Sequence, residues 1–277
     1  MRKINYVVAI FLISVSILFS LAIYRFVCCF TKKGDDMMVV LTFHRVVKDN
    51  VKNQYYKNNQ WVHSETMFEK QMSFLADNGY RTLSLDEYYD WYTGKTNYNT
   101  SKTCVITIDD GDIENYYIVL PILKKYNLKA TLFVIASEIE KDAVWNEGQT
   151  KQVHISEKQI NLIKTEYPNF DIQSHTFNMH HMSNNNKPVV YSMTKEQIIN
   201  DFKQMEKYDM KYMAYPFGAS NELVRNTAND FNYKLAFSFA GPYIPSTRKN
   251  NPMKINRIKI NGQCSLFKFK MLLKIWY

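Results

Sequence analysis

Apolar residues form one long run near the N-terminus and a series of shorter runs after it. Residues 6–24 (YVVAIFLISVSILFSLAIY) contain no charged side chain. A helix of that length, at about 1.5 Å per residue, covers roughly the 30 Å hydrocarbon core of a bilayer. The run ends in bulky residues (RFVCCF, 25–30) rather than in the small residues that precede a signal cleavage site. We therefore predict an uncleaved signal anchor over residues 1–30, with a cleaved signal peptide as the alternative, followed by a linker over residues 31–37.

The later apolar runs are short and alternate with amphipathic stretches. Strands are predicted at residues 38–43, 104–108, 130–135, 170–173, 213–215, 235–239 and 255–260. Helices are predicted from Thr66 to about residue 77, from Ser84, at 113–126 and 157–165, from Thr194, at 222–231 and from about Leu266. Roughly seven or eight strands interleaved with helices predict an α/β fold with a parallel sheet. At this length we expect a distorted (β/α) barrel over residues 38–277.

Helix starts and loops also have signals in the sequence. Three Ser or Thr residues stand three positions before Glu or Gln, the spacing of a capping box: Thr66 with Glu69, Ser84 with Glu87, and Thr194 with Gln197. The polar stretches 48–60 and 183–191 are predicted to be loops.

Composition excludes some functions. The net charge is +9, from 35 basic and 26 acidic residues, but no arginine-rich arm or basic helix concentrates it. We therefore expect no nucleic-acid partner. The four cysteines have neither the spacing of a zinc knuckle nor that of a disulfide framework.

Two adjacent carboxylates follow the strand at residues 104–108. Asp109 and Asp110 stand directly after CVITI. Polar groups at the carboxyl end of barrel strands are where active sites lie. Because neighbouring side chains point in different directions, one carboxylate can bind a cation while the other accepts a proton. The alternative is that Asp-Asp-Gly only forms a turn.

Histidines crowd the stretch IQSHTFNMHHM, residues 172–182. His175, His180 and His181 are three of the six histidines in the chain. Neutral imidazoles are common zinc ligands, and two of them with a carboxylate leave coordination positions open. Together with the Asp-Asp pair they predict a divalent metal centre.

Two further strand ends carry candidate groups. AYPFG, residues 214–218, combines a proline that fixes a turn with a glycine that lets backbone approach a ligand. His44 ends the first strand, in TFHRVV.

In this order the motifs resemble the polysaccharide deacetylases of carbohydrate esterase family 4, which share the NodB homology domain. ITIDDGD is similar to the Asp-Asp motif of the family, SHTFNMHH to its histidine motif, and AYPFG to its proline turn. The resemblance is strongest to the poly-β-1,6-N-acetylglucosamine deacetylases of biofilm-forming bacteria, and it covers about residues 38–276.

The resemblance implies roles for individual residues. Asp110, His175 and His180 would bind the metal, most often zinc, with cobalt or nickel as alternatives, and His181 is the alternative third ligand. Asp109 would be the general base that activates the attacking water. Backbone N–H groups of the turn between Tyr215 and Phe217, that of Phe217 in particular, would form the oxyanion site.

Three departures from the family pattern matter. The second histidine usually comes four residues after the first, where Met179 stands, whereas the biofilm-polymer branch uses the spacing that reaches His180. The arginine ahead of the proline turn is absent, since Ala214 and Tyr215 stand there. No histidine follows His181, so in a circularly permuted branch His44 would supply the general acid that protonates the leaving amine.

We therefore expect a metal-dependent enzyme that hydrolyses the N-acetyl groups of an extracellular N-acetylglucosamine polymer during biofilm matrix formation. Its partners would be that polymer, the membrane, and the machinery that synthesises the exopolysaccharide. The domain would lie outside the cell on a single-pass anchor, or at the cell surface after cleavage. Alternatives are a deacetylase of peptidoglycan or of another acetylated exopolysaccharide, and a non-catalytic glycan-binding protein with the same fold.

Overall fold

The computed structural model describes residues 36–239 and 244–275, together with five isolated positions of the N-terminal segment: Phe11, Leu12, Ser14, Ser16 and Ser20. Apart from those five positions, the predicted anchor lies outside the described residues. Among the residues that the structure does describe, no helix has both the length and the apolar character needed to cross a bilayer.

Twelve strands are present in the described part of the chain. They are β1 (Met37–Phe43), β2 (Val46–Val47), β3 (His63–Ser64), β4 (Arg81–Leu83), β5 (Thr103–Ile108), β6 (Ala130–Val134), β7 (Phe170–Ser174), β8 (Tyr212–Ala214), β9 (Leu235–Ser238), β10 (Ser246–Thr247), β11 (Ile255–Asn256) and β12 (Ile258–Lys259).

The main sheet is parallel and almost closed. Its order is β10-β1-β5-β6-β7-β8-β9-β11, and β10 is antiparallel to β1. The last two strands form one interrupted segment, in which β11 pairs with β9 and β12 pairs with β1. Residues 255–259 therefore join the two edges of the sheet, which confirms the α/β barrel expected from the sequence.

Eight helices surround the sheet in the described residues. They are α1 (Asp49–Tyr55), α2 (Glu65–Asp77), α3 (Leu85–Tyr92), α4 (Leu120–Tyr126), α5 (Glu157–Glu166), α6 (Lys195–Met205), α7 (Glu222–Asp230) and α8 (Leu266–Ile275). Capping boxes begin three of them, at Ser84, Ser156 and Thr194, because the side chains there satisfy backbone N–H groups that have no partner within the helix.

Successive residues of a strand point to opposite faces of the sheet, so they pack into two different hydrophobic clusters. Val40, Val105 and Phe133 belong to a cluster with side chains of β8, β9 and β11, which fills the barrel interior. Leu41 and Ile106 alternate with them and belong to the cluster that packs under α2, α4, α5 and α8. Nearer the carboxyl ends of the strands the interior becomes polar, where the hydroxyls of Thr42 and Thr107 lie 3.0 Å apart.

The structure corrects several predicted elements. Thr66 is not a helix cap: Ser64 accepts the N–H of Met67 and begins α2, while the Thr66 hydroxyl donates to Asp49. Residues 48–60, predicted to be a loop, contain α1. The predicted helix 113–126 begins with a π-helical turn (Asn115–Val119) before α4, and the predicted strand 255–260 is interrupted at Arg257.

A candidate metal centre at the carboxyl ends of the strands

The candidate residues meet at one rim of the barrel. His44 follows β1, Asp109 and Asp110 follow β5, and His175 follows β7. Phe217 lies in the turn Pro216–Gly218 after β8. Because the strands are parallel, all these positions are at the same end of the sheet, where active sites of α/β barrels lie.

Asp110, His175 and His180 form the core of the site. Asp110 Oδ1 lies 3.5 Å from His175 Nε2 and 3.3 Å from His180 Nε2. The three potential ligand atoms all lie within 4.8 Å of one another. A cation among them would contact one carboxylate and two imidazoles, a donor set typical of zinc and neighbouring transition metals.

The hydrogen bonds around this group suit metal binding. His175 Nδ1 donates to the Ala214 carbonyl at 2.8 Å, which fixes the ring with Nε2 facing Asp110. Burial lowers the pKa of His175, but Asp109 and Asp110 raise it overall, so a cation bound at Nε2 would displace a proton. Asp110 Oδ1 is buried without a hydrogen-bond partner in the protein, and such an atom is costly unless something else satisfies it. The residues therefore fit a divalent cation.

Charges near the group set its protonation states. Burial alone would raise the pKa of Asp110, but His175, His44 and His180 together hold it far below its ordinary value. Burial lowers the pKa of His180, and the neighbouring His175 lowers it further. Asp110 is thus ionised and His180 neutral near pH 7, the states in which both groups bind cations.

Backbone strain is concentrated at the site. Asp110, Thr176 and Phe217 have φ angles of 76°, 70° and 58°, and they account for three of the seven non-glycine residues with positive φ in the described part of the chain. Such conformations cost free energy and persist where surrounding contacts impose them.

Asp109 points into the barrel and pairs with Arg257, a residue that the sequence reasoning missed. Arg257 Nη1 and Nη2 donate to Asp109 Oδ1 and Oδ2 at 2.6 and 2.8 Å. Although burial raises the pKa of Asp109, the Arg257 charge and the nearby histidines lower it overall. The arginine expected ahead of the proline turn is absent, but Arg257, from the segment 255–259 that joins the two sheet edges, lies beside Asp109 instead. The signal in the sequence was a single arginine within the apolar strand INRIKI.

His44 lies next to Asp109 and under Trp61. His44 Nε2 is 3.8 Å from Asp109 Oδ2, and its ring contacts that of Trp61 with centroids 4.6 Å apart. Lys259 Nζ lies 3.8 Å from the centroid of the Trp61 ring. Burial lowers the pKa of His44, and the two carboxylates only partly oppose this effect.

A cavity of about 670 Å³ opens onto these groups. Its lining includes His44, Trp61, Asp110, His180 and Phe217. The Phe217 ring lies against that of His180, with centroids 4.4 Å apart and planes inclined by 32°.

Two predicted residues lie elsewhere. Tyr215 cannot supply the oxyanion donor, because its N–H donates to the Phe237 carbonyl and its buried hydroxyl to the Met253 carbonyl. His181 does not belong to the group formed by Asp110, His175 and His180, and it lines a separate shallow cavity of about 270 Å³.

A buried arginine fixes one wall of the main cavity. Arg45 Nη2 donates to Glu114 Oε1 at 2.6 Å. The same guanidinium donates to the carbonyls of Thr150 and Lys151, just before the cavity-lining Gln152. Arg45, the residue after His44, thus fixes the loop at residues 150–152 that forms part of the cavity wall.

Comparison with known proteins agrees with this geometry. Residues 96–236 match the sequence profile of the family described as polysaccharide deacetylase. Poly-beta-1,6-N-acetyl-D-glucosamine N-deacetylase of Staphylococcus aureus (strain MRSA252) is 27% identical over 259 residues, which are 88% of this chain and 84% of that protein.

Solved structures show the same fold. The deacetylase PplD of Streptococcus pyogenes, in complex with acetate, superimposes with a TM-score of 0.69 at 22% identity, covering 86% of this chain and 98% of that one. IcaB from Ammonifex degensii superimposes with a TM-score of 0.67 at 20% identity, covering 87% and 97% of the two chains.

The fold and site define an α/β-barrel enzyme with acidic and histidine side chains gathered at its catalytic rim. The family profile spans half of the chain, and the chain belongs to the polysaccharide deacetylase family.

Proposed function

We propose that this polysaccharide deacetylase is a metal-dependent N-deacetylase of poly-β-1,6-N-acetylglucosamine, acting outside the cell in the biofilm matrix. The observation that carries the proposal is the convergence of Asp110, His175 and His180, whose potential ligand atoms lie within 4.8 Å of one another beside the paired Asp109. A glycan-binding protein has no need for a buried base next to a metal-binding group.

The metal would be held by Asp110, His175 and His180, and zinc suits this donor set, with cobalt or nickel as alternatives. When bound, such a cation lowers the pKa of a water molecule and polarises the amide carbonyl. The protein supplies the rest of the chemistry.

Asp109 would accept a proton from the attacking water. Arg257 donates hydrogen bonds to both carboxylate oxygens of Asp109 from within the barrel and keeps Asp109 ionised, as a base must be. The water oxygen bonds to the acetyl carbon, the C–N bond breaks, and acetate and a free amine are the products.

His44 would protonate the departing amine nitrogen. Burial lowers its pKa, so it begins the reaction neutral and must receive a proton before it donates one. Asp109 Oδ2, the carboxylate oxygen 3.8 Å from His44 Nε2, would pass on the proton taken from the water. The backbone N–H of Phe217, in the turn that lines the cavity, is proposed as the oxyanion donor.

The substrate assignment rests on the named activity of the Staphylococcus aureus relative and on the cavity. The cavity opens at the barrel rim, and Trp61, which lines it, is 39% exposed. An aromatic face with one wet side suits the apolar face of a sugar ring. Successive deacetylation would make the polymer cationic, which favours retention on an anionic cell surface.

We also propose that residues 1–30 anchor the enzyme in the cell membrane, with the catalytic domain outside and close to the machinery that makes the polymer. The proposal rests on the uncharged run at residues 6–24. Fractionation of the full chain, followed by N-terminal sequencing, tests it; a soluble product that begins near residue 31 would instead indicate a cleaved signal peptide.

Acetate release tests the activity. The full chain in detergent, loaded with zinc, is incubated with β-1,6- and β-1,4-linked N-acetylglucosamine oligomers. We expect acetate from the β-1,6 oligomers. Asp109→Asn should keep zinc and lose turnover by a factor of at least about 100, whereas Asp110→Asn should lose zinc as well.

The outcomes separate the alternatives. Acetate released only from β-1,4 oligomers would transfer the assignment to a peptidoglycan-like substrate. Oligomer binding without acetate release from either substrate would indicate a glycan-binding protein. Glu222→Gln, at an exposed position in the first turn of α7 and not among the cavity-lining residues, is the control variant that should retain turnover.

A further inference from the structure

Helix α6 carries a carboxylate on its buried face. Ile198, Phe202 and Met205 form the apolar stripe of this helix, and Asp201 lies in the same stripe with only 5% of its surface exposed. A charged group at a core position is costly unless hydrogen bonds compensate it. The partners of Asp201 therefore indicate why the sequence places an acid there.

Both oxygens of Asp201 accept backbone N–H groups. Oδ1 accepts from Phe177 N at 2.9 Å, and Oδ2 from Asn178 N at 2.7 Å. Phe177 and Asn178 lie in the loop between His175 and His180. One side chain of α6 thus binds the middle of the segment that carries both histidines of the candidate metal centre.

The same loop is held by side chains on either side of that contact. Ser174 Oγ accepts from Thr176 N at 3.1 Å, and Thr176 Oγ1 accepts from Met179 N at 3.2 Å. With Asp201, four consecutive backbone N–H groups are bound by side-chain oxygens. Thr176 is β-branched and has a φ of 70°, a conformation that needs such support.

An apolar contact completes the anchoring of the loop. The Met179 side chain is 1% exposed and belongs to the same cluster as Ile198 and Phe202 of α6. The loop therefore turns inward at Met179, and the next residue, His180, lies beside Asp110. This arrangement explains why the second imidazole comes five residues after the first rather than four.

We propose that Asp201 is a positioning residue of the metal centre, which fixes the loop 175–180 so that the Nε2 atoms of His175 and His180 both face Asp110 Oδ1. The inference rests on the proposed metal-dependent function. Asp201 touches neither the ligand atoms nor the main cavity; it acts through the two backbone N–H groups.

Zinc affinity tests the proposal without reference to turnover. The full chain in detergent is stripped of metal and titrated with zinc against a chelating indicator. Asp201→Asn keeps the shape of the side chain, but its amide nitrogen cannot accept an N–H. We expect zinc to bind at least about 10-fold more weakly, the usual effect of removing a group that orients metal ligands.

Two control variants separate positioning from general stability. Phe269→Leu alters a buried position of α8, in a core cluster that contains neither Met179 nor any residue of α6, and should lower the urea midpoint without changing zinc affinity. Gln204→Ala is an exposed change at the shallow cavity beside Asp201 and should alter neither property. Zinc affinity of Asp201→Asn within 2-fold of the unaltered protein overturns the proposal.

His180→Ala distinguishes failure of this inference from failure of the proposed function. If His180→Ala loses zinc and Asp201→Asn does not, only the positioning role is wrong; if neither loses zinc, the metal centre itself is wrong. Should Asp201→Asn not fold, Asp201→Glu decides, because it keeps the charge but displaces the oxygens. We expect at least 5-fold weaker zinc binding, and unchanged binding overturns the proposal.

Discussion

The ion pair between Asp109 and Arg257 should contribute a large coupling free energy. Its side chains are 2% and 0% exposed, and both hydrogen bonds are short. Two unit charges about 4 Å apart interact by about 4 kcal/mol at an effective dielectric constant of 20. Removing one partner of such a buried pair costs about 3–5 kcal/mol, because the other charge stays buried alone.

A double-mutant cycle measures this coupling. Asp109→Asn, Arg257→Met and the double variant are unfolded in urea at pH 7.5, and unfolding is followed by fluorescence and circular dichroism. We expect each single variant to lose about 3–5 kcal/mol, and the double variant to lose about 3–4 kcal/mol less than the sum of the two.

A surface pair in the same chain provides the control cycle. Arg81 Nη2 lies 3.3 Å from Glu87 Oε1, and the Arg81 side chain is 58% exposed. For Arg81→Met with Glu87→Gln, we expect a coupling of less than about 1 kcal/mol. The reasoning would be refuted if the Asp109–Arg257 coupling were no larger than that of this exposed pair.

Three further predictions concern pH, backbone conformation and metal. Burial lowers the pKa of His63 to about 3, so below about pH 6.5 the unfolded chain binds a proton that the folded protein does not, and stability is lost as pH falls. Between pH 7.5 and 5, the free energy of unfolding measured in urea should drop by about 2 kcal/mol more in the unaltered protein than in His63→Gln. Equal drops in the two proteins would contradict this prediction. Gly218→Ala should lower the free energy of unfolding by more than about 1 kcal/mol, because its φ is +66° and a Cβ there would lie 2.4 Å from the Phe239 ring. Gly94→Ala, at a φ of +81° with no atom within 4 Å of the added Cβ, should lower it less in the same urea titration. The reverse order would refute the steric argument. Zinc at 100 times its dissociation constant should stabilise the stripped protein by about 2.7 kcal/mol, an increase in thermal midpoint that Asp110→Asn should lack.

The barrel could be predicted from the sequence because its strands are continuous apolar runs that follow local rules. Most predicted strands lie within one or two residues of the observed ones, since buried parallel strands leave little choice of residue type. Helix α1, in contrast, lacks an apolar pattern: in DNVKNQY the only apolar residue that becomes buried is Val51. A helix with one buried apolar residue has no periodicity to detect.

The candidate site was predictable only where its residues lie close in sequence or at strand ends. Asp109 and Asp110 follow an apolar strand, and His175 and His180 lie in one short segment. Arg257 is separated from Asp109 by 148 positions, and no local pattern reveals such a pairing. Tyr215 was assigned to the oxyanion site because the turn was visible in the sequence, whereas the sheet bond that occupies its N–H was not.

The interrupted segment at residues 255–259 has a consequence for how the enzyme matures. The carboxylate proposed as the base is made early in synthesis, but its counter-ion and the strand that unites β1 with β9 are made about 150 residues later. A chain cut before Ile255 would retain every candidate ligand, yet leave two open sheet edges and a lone charge inside the barrel. Asp109 is therefore paired, and β1 joined to β9, only once residues 255–259 have been built into the barrel.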